Sequence, residues 1–178
     1  MKKNIFRTVL LLAAGIVTVL TGCNDDEATD DYKAWREKNE NWLIEQLLLT
    51  ESDGSPYYNK VTMPSDPQNY VFMHNIGTVH EENLKPLYTS TTKVNYTLKL
   101  VNDSVMDKGT GFVSQLNSSG LIDGWGLSVM QLHVGDSAQF IVPYASGYGS
   151  TGYGTIPPFS NLVFDVKLVD ITAYEVRP

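Results

Sequence analysis

The chain has 178 residues, 42% hydrophobic and 19% charged, which suits one globular domain plus an extension. Its 13 Lys+Arg against 20 Asp+Glu give a net charge of −7. Phosphate binding demands clustered cations, so this balance excludes a nucleic-acid partner. A single cysteine excludes a disulfide framework and a cysteine metal cluster.

Lys2, Lys3 and Arg7 precede a charge-free run from Val9 to Leu20. That run is too short to span a bilayer and has the form of a signal-peptide core. Leu20-Thr21-Gly22-Cys23 follows and resembles a bacterial lipobox, which implies a signal peptide over 1–22 and lipidation of Cys23. Removing the leader leaves ten Lys+Arg against twenty Asp+Glu. Such a chain is expected to be held in the cell envelope by acyl chains rather than by charge. That means the outer membrane, on its periplasmic face or at the cell surface. Residues 23–29 contain Asn24-Asp25-Asp26-Glu27 and read as a solvated acidic tether.

Residues 30–68 read as a helical extension and a loop. Asp30 or Asp31 is a candidate cap for a helix reaching about Leu49. Trp35, Trp42, Leu43, Leu47 and Leu49 recur at helical spacing. That apolar set is expected to dock on the following domain, with a dimer contact as the alternative. Asp53-Gly54, Pro56, Pro64 and Pro67 make 51–68 a loop. The domain proper is expected over 69–178. Asn69–Ile76 reads as a strand, Val79–Thr92 as a connection, and Val94–Val101 as an alternating strand with Val94, Tyr96, Leu98 and Leu100 on one face. Thr110–Leu116 is a further strand. Gly124–Leu132 is a short helix burying Trp125, Val129 and Leu132. Ser137–Val142 and Asn161–Ile171 are strands. Strands around one short helix, without βαβ alternation, predict an α+β fold with an antiparallel sheet.

Leu121-Ile122-Asp123-Gly124-Trp125, Tyr148-Gly149, Ile156-Pro157-Pro158 and Leu162-Val163-Phe164-Asp165-Val166 occur in that order. Together they resemble the FKBP-type peptidyl-prolyl isomerases over roughly residues 69–171. The resemblance implies a curved sheet wrapped around the short helix, an isomerase acting on X-Pro bonds, and proline-containing polypeptides as partners. It implies neither cofactor nor metal. Carried over by position, Asp107 and Tyr148 are the polar groups that orient the peptide. Tyr96, Met106, Phe112, Leu121, Ile122, Trp125, Ile156 and Phe164 enclose the proline.

This residue set fits the chemistry. Twisting an X-Pro amide breaks resonance against a barrier of roughly 18–20 kcal/mol, without covalent change. A dry apolar pocket with one or two fixed polar groups can favour the twisted form. Three positions depart from the family pattern: Met106 stands where Phe is usual, Leu98 where Gly is usual, and the Pro143–Tyr148 loop is one residue longer. Gly149, Gly152 and Gly154 lack the Lys of a phosphate loop. His74, His80 and His133 are scattered in sequence and are expected to be non-ligating.

Overall fold

A computed structural model describes residues 32–174. The leader, Cys23, the acidic tether and the candidate caps Asp30 and Asp31 lie outside the described residues. Helix α1 covers Lys33–Leu47; Tyr32 stands at its N-terminal boundary without a side-chain capping bond. Strands β1 (Asn59–Met63), β2 (Asp66–Ile76), β3 (Thr91–Leu100) and β4 (Val105–Gln115) follow, then helix α2 (Asp123–Val129), β5 (Ser137–Val142), a 3₁₀ turn (Tyr144–Ser146) and β6 (Leu162–Ala173).

All six strands form one sheet in the order β1-β2-β5-β6-β3-β4, with every neighbouring pair antiparallel. The longest strand, β6, is central because alternate residues Leu162, Phe164, Val166 and Leu168 all enter the core. They meet Val94, Leu98 and Leu100 of β3, Ala138, Phe140 and Val142 of β5, and Trp125, Leu127 and Val129 of α2. Register shifts on both sides of β3 bend the sheet around α2, as bulges increase local twist.

A smaller cluster forms on the other side of the β2–β5 pair. Tyr58, Phe72 and Ile141 are buried there, and Trp42 and Leu43 of α1 pack onto them. Trp35 packs against the main core instead. Both helix tryptophans therefore face this chain's own domain. Leu47 and Leu49 stay exposed, so the apolar stripe expected from spacing is shorter than drawn.

One expectation fails outright. Residues 59–68 are not loop: β1 pairs with β2 from Asn59↔Met73 to Met63↔Asp66, so the sheet begins before residue 69. Pro64 occupies the hairpin turn, and Pro67 falls at the register shift between Thr62 and Met63. A proline at such an irregularity owes no ladder hydrogen bond and does not break the strand.

Candidate active site

Trp125 forms the floor of a cleft of about 420 Å³. α2 places it there: Gly124 and Gly126 flank it, and the indole is only 4% exposed. Three rings stand against it edge-on, with centroids at 5.2 Å for Tyr96, 5.4 Å for Phe164 and 6.1 Å for Phe112. Edge-to-face packing satisfies the ring quadrupoles while keeping the walls rigid. The indole N–H finds no hydrogen-bond partner within this box.

Tyr96 has room for its ring for a specific reason. It pairs across β3 and β4 with Gly109, and a Cβ added there would sit 2.3 Å from the Tyr96 ring carbon Cε1. Only bare backbone leaves room for the ring. From that position the Tyr96 hydroxyl donates to Asp107 Oδ2 at 2.6 Å. The Lys108 N–H donates to Asp107 Oδ1 at 2.8 Å, so both carboxylate oxygens are held. Burial, reinforced by the Asp107 bond and charge, pushes the Tyr96 pKa well above its usual value.

Tyr148 closes the rim from the Tyr144–Asn161 loop. Burial first, then the neighbouring Tyr153 and Asp107, raise its pKa, so it remains a neutral O–H donor at pH 7. Its ring stacks on Tyr153 with centroids 5.0 Å apart. The loop holds its own shape through Gly149 N–H to Tyr144 O, Gly152 N–H to Tyr148 O, and reciprocal bonds between Tyr153 and Ile156. Gly152 has φ +70°, and a Cβ on it would meet Ile156 O at 2.4 Å; no other residue type fits this turn.

Tyr96, Asp107, Phe112, Leu121, Ile122, Trp125, Tyr148 and Phe164 all line the cleft. Met106 and Ile156 do not. They line an adjoining hollow of about 660 Å³, which shares Leu98, Asp107 and Tyr148 with the first. These three residues are walls common to the two hollows. The first cleft's lining holds one carboxylate and no Lys, Arg, His or Cys, an arrangement suited to gripping an apolar ring rather than to covalent attack.

Some lining residues escaped the sequence reading. Leu98 stands where a glycine is usual and is a wall of both hollows. Its place on the Tyr96 face of an alternating strand was the available signal. Gly120, Tyr153, Gly154 and Thr155 were also missed, because loop positions carry no periodicity. The histidines are not simply scattered. Asp136 Oδ1 accepts from the His80 N–H at 2.7 Å and lies 2.8 Å from its Nδ1. Asp136 Oδ2 accepts from the His133 N–H at 2.9 Å and lies 3.1 Å from its Nδ1. Burial alone would raise the Asp136 pKa, but these four contacts outweigh it and hold the carboxyl at about 2. The cluster ties the 79–90 connection to the turn before β5, away from the cleft lining. His74 stacks on Tyr57 at 3.6 Å.

Comparison with known proteins locates the same segment. The profile of the "FKBP-type peptidyl-prolyl cis-trans isomerase" family matches residues 83–169. FK506-binding protein 2 of Dictyostelium discoideum is 39% identical over 84 residues, 44% of this chain and 63% of its own length. FK506-binding protein 1 of Kluyveromyces lactis is 32% identical over 109 residues, 61% of this chain and 86% of its own. Among solved structures, FkpA from Escherichia coli superposes with a TM-score of 0.64 at 22% identity, covering 83% of this chain and 65% of that one; at that identity the likeness shows the fold alone. A relative 32% identical and covered over 86% of its own length shows the family: the chain belongs to the FKBP-type peptidyl-prolyl cis-trans isomerases.

Proposed function

We propose that this chain catalyses cis-trans isomerisation of X-Pro bonds in exported polypeptides, and that it does so non-covalently in the Trp125 cleft. The aromatic box carries this reading: three rings around the Trp125 floor, with Asp107 and Tyr148 as its polar groups. The proline ring fills the box and its imide leaves water. Water favours the polar resonance form that keeps the amide planar, so a dry site lowers the rotational barrier. The Tyr148 hydroxyl and the backbone at Ile122 donate to peptide carbonyls. Asp107, held by Tyr96 and Lys108 N–H, adds a fixed negative charge beside the twisting bond. Met106 and Ile156 border the adjoining hollow and contact the residues flanking proline.

Lipidation at Cys23 would tether the domain in the cell envelope, where newly exported chains fold. The lipobox order and the preceding charge-free run support this part of the reading. Exchange spectroscopy on a short X-Pro peptide tests the catalysis. Substoichiometric protein is expected to accelerate cis-trans exchange. Exchange rates equal to those of the free peptide, with binding still detectable, would leave a peptide-binding chaperone module instead. Met106 in place of an aromatic wall is the feature that favours that second reading, since methionine shapes a pocket less firmly.

A further inference from the structure

We propose that α1 is a brace for the loop that closes the cleft, with Asn39 and Trp35 as its positioning residues; this rests on the reading that the cleft isomerises prolyl bonds. The helix lies outside the matched family segment, which begins at residue 83. Asn39 is the exception along this helix. It is fully buried in a helix whose other residues are exposed or half-buried. Asparagine is a poor helix former, so propensity does not explain it.

Its bonds do. Asn39 Oδ1 accepts from the Asn161 N–H at 2.7 Å, and Asn39 O accepts from Asn161 Nδ2 at 2.8 Å. Asn39 Nδ2 donates back to Trp35 O at 2.9 Å. The remaining oxygen, Asn161 Oδ1, accepts from the Tyr144 N–H at 3.1 Å. One pair of amides thus pins both the first and the last residue of the Tyr144–Asn161 loop to the helix. One turn earlier, Trp35 Nε1 donates to Ser160 Oγ at 3.0 Å, and Ser160 Oγ donates to Pro157 O at 2.7 Å. Between these, the Arg36 guanidinium lies 4.9 Å from the centroid of the Phe159 ring. Phe159 has φ +60°, a conformation that a residue with a Cβ holds only under outside constraint.

The loop residues in these contacts, Tyr144, Pro157, Phe159, Ser160 and Asn161, line neither hollow, whereas Tyr148, Tyr153 and Ile156 do. A loop released from the helix would hold the closed geometry for only part of the time. Apparent affinity falls by that fraction, so KM rises while kcat holds. A helix that merely covers apolar surface would change the melting temperature and leave KM alone.

The test uses the full chain with Asn39→Ala, Trp35→Phe and, as control, the exposed Glu37→Ala. Steady-state isomerisation of an X-Pro peptide is measured well below each melting temperature. Backbone amide shifts of Tyr148–Ile156 are read by NMR in the same samples. The first two variants are expected to raise KM roughly threefold to tenfold, to change kcat little, and to shift the loop amides. Glu37→Ala should match the unaltered chain in every readout. Unchanged KM and unchanged loop amides in folded Asn39→Ala and Trp35→Phe overturn the brace. Should Asn39→Ala fail to fold, Trp35→Phe decides alone, since it keeps a packed ring and removes only the donor. An unaltered chain with no rate enhancement would sink the isomerase reading, and the loop amides would then decide the brace by themselves.

Discussion

The floor and the rim of the cleft are built differently. Trp125, Tyr96 and Phe164 sit on a helix and two central strands, and the first and last of them are 4–5% exposed. Tyr148, Tyr153 and Ile156 sit on a loop held by its own turns and by α1; Tyr153 is 68% exposed. Floor residues serve as core and wall together, so their energetics cannot be separated from folding. Ile156 reaches back into the core and Tyr148 packs its ring against it, but the Tyr148 hydroxyl and the exposed Tyr153 stand at the mouth, so function can change at those groups with little change in stability. An apolar site needs a rigid base to exclude water, and an adjustable edge to admit a chain.

Trp125→Ala offers the strongest way to break this contrast. Removing a buried ring from the aromatic box should cost about 3–5 kcal/mol, and kcat/KM should collapse with it. A variant that melts like the parent while losing activity would show that the floor is not core. Gly109→Ala reaches the same floor from behind. The new methyl collides with Tyr96, so destabilisation of up to about 3 kcal/mol is expected, together with loss of the Tyr96–Asp107 bond. Urea titration and the near-ultraviolet tyrosine signal check both effects.

Asp136 lies away from both floor and rim, in the turn between α2 and β5, and gives the stability of the domain a pH axis. Its folded pKa of about 2 lies below the ordinary 3.8. The folded state therefore binds fewer protons than the unfolded one near pH 3. The resulting stabilisation is complete above about pH 4 and is lost as pH falls through about 2. It amounts to about 2 kcal/mol. Asp136→Asn should lower stability at pH 7 and flatten the profile between pH 4 and 2. Equal profiles for both proteins would remove the carboxylate from the account. The smallest effect on stability belongs to the rim. Tyr148→Phe should change the melting free energy by less than about 0.5 kcal/mol while raising KM for X-Pro peptides, because only a mouth hydroxyl is lost. A large melting shift would place this side chain in the core and erase the contrast.

Strands whose two faces differ were legible in the chain. Val94, Leu98 and Leu100, and likewise Leu162, Phe164, Val166 and Leu168, alternate in sequence and point into the core as alternation requires. The aromatic box was legible in part, because the Leu121–Trp125 and Leu162–Val166 motifs sit where a helix and a strand deliver Trp125 and Phe164. Strand β1 was not. Its Asn59-Lys60-Val61-Thr62-Met63 is mostly exposed, and the nearby prolines mimic a loop until pairing shows that they fall at a turn and a register shift. The convergence of His80, His133 and Asp136 was equally hidden, since His80 reaches the other two only after the sheet closes.

What the linear chain determined by itself was periodicity, local turns and the identity of the rings: an acidic, cysteine-poor α+β domain with an apolar site. Those properties depend on neighbours a few residues apart. Which walls share a hollow, why Tyr96 needs a glycine opposite, and how a helix before the domain holds a loop more than a hundred residues later were decided only in three dimensions. Hydrogen bonds such as Asn39 to Asn161 join positions whose spacing in sequence carries no signal, because the contact exists only after the sheet between them has formed.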